Sequence, residues 1–149
     1  MSGWQRKVQS LGQVVTFYLG DALCGINVAG VQEVTRTLEV TPIPLAPAYV
    51  AGIFNLRGHL VTVIHLAVKI GMSSTSGPVP DKCIILNNGS ERIGVLVDEL
   101  REVLAVDHNF LEPAPHSLCE KHGASFSYVL KAEDELIGIL DIDEVLKVE

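Results

Sequence analysis

Basic residues are scarce in this chain: eleven Lys and Arg face eighteen Asp and Glu, a formal charge of -7. Nucleic acid binding needs clustered cations, so the balance argues against nucleic acid as a main partner, and attraction to anionic membranes is weak. Long apolar runs are missing as well. None reaches the length of a membrane span, and none follows Arg6 and Lys7 as a secretory signal requires. Cysteine is limited to Cys24, Cys83 and Cys119, odd in number and scattered, which is no disulfide framework and fits a reducing, cytoplasmic compartment. No glycine-rich loop has the pattern that cradles phosphate. What the chain has in quantity is apolar residues, 48% against 19% charged, over 149 residues: a globular protein of one domain or two small lobes.

The apolar residues are grouped in short runs separated by turn signals. Gln13 to Tyr18 and Ala22 to Asn27 flank Gly20-Asp21, a two-residue hairpin signal. Val28 to Val34 repeats valine every third residue and reads as a short helix, although Gly30 and the β-branched residues weaken it. Leu38 to Ile43 reads as extended, and Ala46 to Tyr49 as one helical turn. Val50 to Leu66 is the organising stretch, two apolar strands joined by a turn in which Gly58 supplies a positive φ and Arg57 stands in solvent. Gly71 to Pro80 is a linker of Ser, Gly and Pro. Strands follow at Lys82 to Asn87 and Arg92 to Val97 around an Asn-Gly turn, then at Val103 to Val106, with Asp107 to His122 irregular. A last strand pair, Phe126 to Lys131 and Leu136 to Leu140, precedes a terminal helix, Ile142 to Lys147, capped by Asp141. About ten strands at this spacing predict an all-β protein with two small barrels, lobes of about 12–72 and 80–148 within a single domain of 12–148, strand exchange between them being open.

Five segments in order carry a family resemblance. They are Val31-Gln32-Glu33-Val34; Thr41-Pro42-Ile43-Pro44 with Ala48-Tyr49-Val50; Gly52-x-x-Asn55-Leu56-Arg57-Gly58; Ile93 to Leu100 with Val103-Leu104; and Leu140-Asp141-Ile142-Asp143 with Leu146. Together they resemble the CheW family of chemotaxis coupling proteins, from about Val14 to Leu146. Thr62, where the family usually has Pro, and His65, where it often has an acidic residue, depart from the pattern. The resemblance implies two intertwined five-stranded SH3-like barrels with short connecting helices and a short C-terminal helix. It implies a non-enzymatic cytoplasmic adaptor, recruited to receptor arrays at the inner membrane, with no cofactor. Its partners would be the cytoplasmic tip of a methyl-accepting chemoreceptor and the regulatory domain of a CheA-type histidine kinase. The two departures leave open an adaptor of another chemosensory system, controlling pili or a second messenger.

On the kinase side the candidate contacts are Arg57, Val31, Glu33, Leu60 and Val61, with Glu33 expected to pair with Arg57. For a receptor groove they are Val95, Val97, Leu100 and Val103, which would take the apolar face of an amphipathic helix. Each apolar member has core packing as its rival role. His116, Cys119 and His122 form a three-residue candidate metal cluster or a Cys nucleophile with a His, the basis of a rival reading as a small ligand- or metal-binding barrel; a fourth ligand is missing, so no metal is expected. Asp98 and Glu99, like Asp141, Asp143 and Glu144, sit at element ends and read as caps and solvated faces rather than acid–base pairs.

Overall fold

Strand side chains alternate between two faces, so a run that is apolar at every position needs cover on both sides. Several runs here are of that kind, and the structure, a computed structural model, supplies two layers of cover. It describes residues 11–37, 39–72, 80–87, 89, 92–115 and 126–146. Strands β1 (Gln13–Leu19), β2 (Ala22–Asn27), β3 (Val31–Arg36), β4 (Val50–Leu56), β5 (His59–His65) and β6 (Lys82–Asn87) come first. Strands β7 (Arg92–Val97), β8 (Glu99–Ala105), β9 (Leu111–Pro113), β10 (Phe126–Ala132) and β11 (Glu135–Leu140) follow. Helix α1 (Leu66–Lys69) ends the first hairpin region and α2 (Ile142–Leu146) follows β11.

The strands form a six-stranded sheet, β8-β1-β2-β11-β10-β9, and a five-stranded sheet, β3-β6-β7-β5-β4. Both are mainly antiparallel, with one parallel contact each, β2 beside β11 and β5 beside β7. These are the two SH3-like barrels of an all-β fold, the first extended by the three-residue strand β9. The sheets do not divide at the Ser/Gly/Pro linker. Each takes strands from both sides of it, because β1 and β2 pair with β8 and β11 while β3 and β5 pair with β6 and β7.

Alternation assigns each buried residue to a layer. Val15, Phe17 and Leu19 of β1 join Ile84 and Leu86 of β6, and Val95 and Val97 of β7, in one core shared by the two sheets. Val14 on the opposite face of β1 packs with Tyr128, Leu130, Ile137 and Ile139 inside the six-stranded barrel. Val61, Val63, Cys83, Ile85 and Leu96 fill the five-stranded one. The buried thiols Cys24 and Cys83 are pushed up to about 12 by burial, so both stay protonated and serve as small apolar residues.

Four local expectations change. Val28 to Val34 is not a helix: only Val28–Gly30 forms a 3-10 turn, and β3 follows, because Val31, Val34 and Thr35 fit a pleated strand that pairs with β6. Ala46 to Tyr49 forms turns without a helix, the last closed by Val50 N–H donating to the Pro47 carbonyl at 2.9 Å. The expected strand near Leu38 to Ile43 shrinks to one bridge between Thr41 and Ile53, Leu38 itself lying outside the described residues. The strand expected at Val103 starts at Glu99, because its polar residues are held by pairing with β1 rather than by their own burial. Asp141 does cap α2, accepting from Asp143 N–H at 3.0 Å.

The Thr41 bridge explains one signature glycine. Gly52 has φ +152, and a Cβ there would collide with the Thr41 carbonyl oxygen. Gly52→Ala is expected to destabilise the protein by about 2 kcal/mol through this collision and the unfavourable φ. The shift in urea unfolding midpoint, with unchanged slope, measures it.

Candidate protein-docking surfaces

The first surface is the tip of the β4–β5 hairpin. Leu56 and His59 face each other, leaving Arg57-Gly58 as a two-residue loop. Both loop residues have positive φ, +51 at Arg57 and +87 at Gly58, which makes the turn type I′. Asn55 holds it, its side-chain oxygen accepting from Gly58 N–H at 2.8 Å. Glycine takes this conformation freely; an arginine there carries a cost on the order of 1 kcal/mol. Arg57 is thus kept at a position that local backbone energetics would give to Gly or Asn.

Its guanidinium is also ordered. Nη1 and Nη2 donate to the two carboxylate oxygens of Glu33 at 2.6 and 2.9 Å, a bidentate pair. The expected pairing of Glu33 with Arg57 is therefore present. Its place in the topology gives it meaning: Glu33 lies on β3 and Arg57 on the turn ending β4, and β3 and β4 are the two edges of the five-stranded sheet. The pair clasps the seam across which this barrel closes. The Glu33 side chain is 20% exposed and that of Arg57 74%, so the carboxylate is anchored and the arginine faces outward. Leu60, 74% exposed, stands beside it on β5 opposite Asn55. Val31 is half-buried against the shared core. Val61 is corrected: it is inaccessible inside the five-stranded barrel and offers a partner no side-chain contact.

The second surface runs along β8. Val103 is 50% exposed, and Leu100 packs half-buried against the shared core. They pair with Val15 and Phe17, and the register shifts between them, so β8 bulges where the Thr16 hydroxyl donates to the Glu102 carbonyl. Both apolar residues therefore face the side of β1 that enters the shared core. Val95 and Val97 are corrected in the same way as Val61: they have no accessible surface and form the floor of that core, one layer below any groove. Alternation separates neighbours on a strand, but a strand covered on both faces gives no sign of which side is surface.

Elsewhere, a concavity of about 680 Å³ is walled mainly by Leu23, Met72, Phe126, Val129 and Leu136. Among the described residues no three His, Cys, Asp or Glu side chains converge as metal ligands. The cluster His116, Cys119 and His122 lies outside the described residues. Among the described residues no helix is long and apolar enough to cross a membrane. Asp98, an expected cap, accepts from Gly20 N–H at 2.6 Å and ties the first hairpin turn to the corner before β8.

Two outcomes test this geometry. A double-mutant cycle on Glu33→Gln and Arg57→Gln, read by chemical denaturation, should give a coupling of about 0.5–1 kcal/mol, the scale of an exposed but well-aligned pair. Half-buried His65 is held below its ordinary 6.5 by burial, partly offset by Asp98. The unfolded state thus takes up this proton at a higher pH than the folded state does. The contribution of His65 is complete above 6.5 and is lost as the pH falls through 6.5 towards the lower folded value. Unfolding midpoints should drop across that window, and by less in His65→Gln.

The comparisons agree with this architecture. The CheW-like domain model matches residues 13–149. The chain is 31% identical to the chemotaxis protein CheW of Treponema pallidum over 137 residues, covering 89% of this chain and 81% of that protein. It is 28% identical to CheW of Rhizobium meliloti over 137 residues, covering 92% and 88%. The crystal structure of the scaffolding protein TtCheW from Thermoanaerobacter tengcongensis superposes with a TM-score of 0.82 at 29% identity, covering 93% of this chain and 94% of that one. With every described strand and helix inside the match, the chain belongs to the CheW-like domain family.

Proposed function

We propose that this chain is a non-enzymatic adaptor that holds a chemoreceptor tip and a CheA-type histidine kinase together in a chemosensory array. The observation that carries the reading is the presentation of Arg57. A costly backbone conformation, an Asn55 brace and a bidentate Glu33 contact all serve to fix one outward-facing guanidinium beside an exposed leucine. A side chain ordered before binding loses little entropy on docking, which suits an interface anchor.

In this reading the hairpin tip, with Arg57, Leu60 and the Glu33 edge, meets the regulatory domain of the kinase. The strip of Leu100 and Val103 on β8 takes the apolar face of a receptor helix. Holding both partners on one rigid body raises the local concentration of receptor for kinase, and no chemistry is needed for that effect. The relatives named as chemotaxis and scaffolding proteins support it. Thr62 and His65 bear on which system is served. Thr62 lies mid-strand with β4 and β7 on either side, so its N–H is available to a ladder that Pro would interrupt. The same adaptor in a pilus or second-messenger pathway would differ only in which kinase it meets.

The test is a pull-down against each CheA-type kinase of the source cell, with wild type, Arg57→Gly and Arg57→Glu. Arg57→Gly suits the turn while removing the guanidinium, so it separates recognition from folding. The reading expects capture of at least one kinase, a loss of about tenfold with Gly and more with Glu. Capture of none overturns the adaptor role; equal capture by all three removes Arg57 from the interface. Whichever kinase is captured assigns the pathway.

A further inference from the structure

The six-stranded barrel has a small interior of Leu11, Val14, Tyr128, Leu130, Ile137 and Ile139. It is open where the edge strand β8 approaches the far end of β10. There a mouth of about 500 Å³ is walled by Leu104, Leu130, Ala132 and Phe110. Leu104 and Ala132 pack directly onto the barrel interior and Leu130 belongs to it, so the mouth is floored by the edge of that core. Phe110, on the 3-10 turn His108–Phe110, stands at its lip 52% exposed.

The rim has a sign. Asp107 and Glu133 flank the opening. The lysine in the lining, Lys131, is drawn aside to Glu112 at 3.1 Å. Asp107 gives one oxygen to the Asn109 N–H at 3.0 Å and forms no ion pair among the described residues. Glu133 forms no ion pair among the described residues, and it tops the β10–β11 turn in a left-handed conformation, φ +50. An apolar socket with an acidic lip complements an apolar side chain next to a cation.

We propose that this mouth is a third docking site, taking a partner protein segment that seats one apolar side chain against Leu104 and Phe110 and sets an Arg or Lys against Glu133 and Asp107. It is separate from the other two surfaces. On β8, Val103 pairs with Val15 on the face of the shared core while Leu104 pairs with Val14 on the barrel face, so the strand can be held from both sides at once.

The experiment is an NMR titration of the whole protein with two capped dipeptides, N-acetyl-Leu-Arg-amide and N-acetyl-Leu-Glu-amide. The expected result is saturable backbone shifts confined to residues 104–110 and 130–133 for Leu-Arg, with an affinity at least about fivefold higher than that for Leu-Glu. Glu133→Gln and Phe110→Ser, both at exposed positions, should each weaken Leu-Arg binding about threefold or more while the spectrum stays folded. Equal response to the two dipeptides, shifts centred on the cleft at Leu136, or no saturation would overturn the proposal. So would shifts at the mouth that grow with protein concentration alone, which would assign it to a second copy of this chain.

Discussion

Strands β1, β6 and β7 meet water on neither face, and most of the structure follows from that. A strand so placed needs a layer on each side. Here one side is always the interior of its own barrel and the other the core shared with the neighbouring sheet. The shared layer holds the largest group of buried side chains, including Phe17, Ile26, Ile64 and Leu86. Burial on this scale contributes roughly 25 cal/mol for each Å² of apolar surface removed from water. Neither barrel could expose its half of that layer and remain soluble. The two sheets are therefore one cooperative body, and the crossing of strands between the halves of the chain ties them together covalently as well.

With the central strands occupied on both faces, the surface left to the proposed docking lies at the edges. In the five-stranded sheet the edges are β3 and β4, and Glu33 and Arg57 clasp across the gap between them. The same pair that closes the seam orders the arginine, so in the proposed adaptor stability and recognition would rest on one contact. In the six-stranded sheet the edges are β8 and the three-residue β9, and the residues of β8 are mostly exposed. Its bulge turns Val103 towards the side of the shared core, and the next residue, Leu104, towards the barrel. Edge strands that carry charge and a bulge are poor templates for unwanted pairing. On β8 that charge comes from Glu99, Arg101 and Glu102.

The hairpin from Val50 to Leu66 was legible because its signals are local. Alternation marked the strands, Gly58 marked the turn, and Arg57 had nowhere to go but solvent. The terminal strand pair and the Asp141 cap were legible for the same reason. Val28 to Val34 misled, since valine every third residue satisfies a helical period while its branched side chains and its pairing with β6 favour a strand. The strand β8 was read too short because Glu99, Arg101 and Glu102 have no apolar alternation; pairing with β1 holds them.

The sequence by itself determined the class of fold, the positions of the densely apolar strands and the outward placing of Arg57, since all three depend on interactions between residues near in the chain. The family pattern in those same segments carried the expectation that Glu33 reaches Arg57. Tertiary structure alone decided that Val61, Val95 and Val97 are core while Leu60, Leu100 and Val103 reach the surface. All six are apolar residues in strands or at their edges, and nothing local tells them apart. Burial depends on which second sheet arrives from the other half of the chain, and that pairing is a property of the assembled barrels rather than of any one strand.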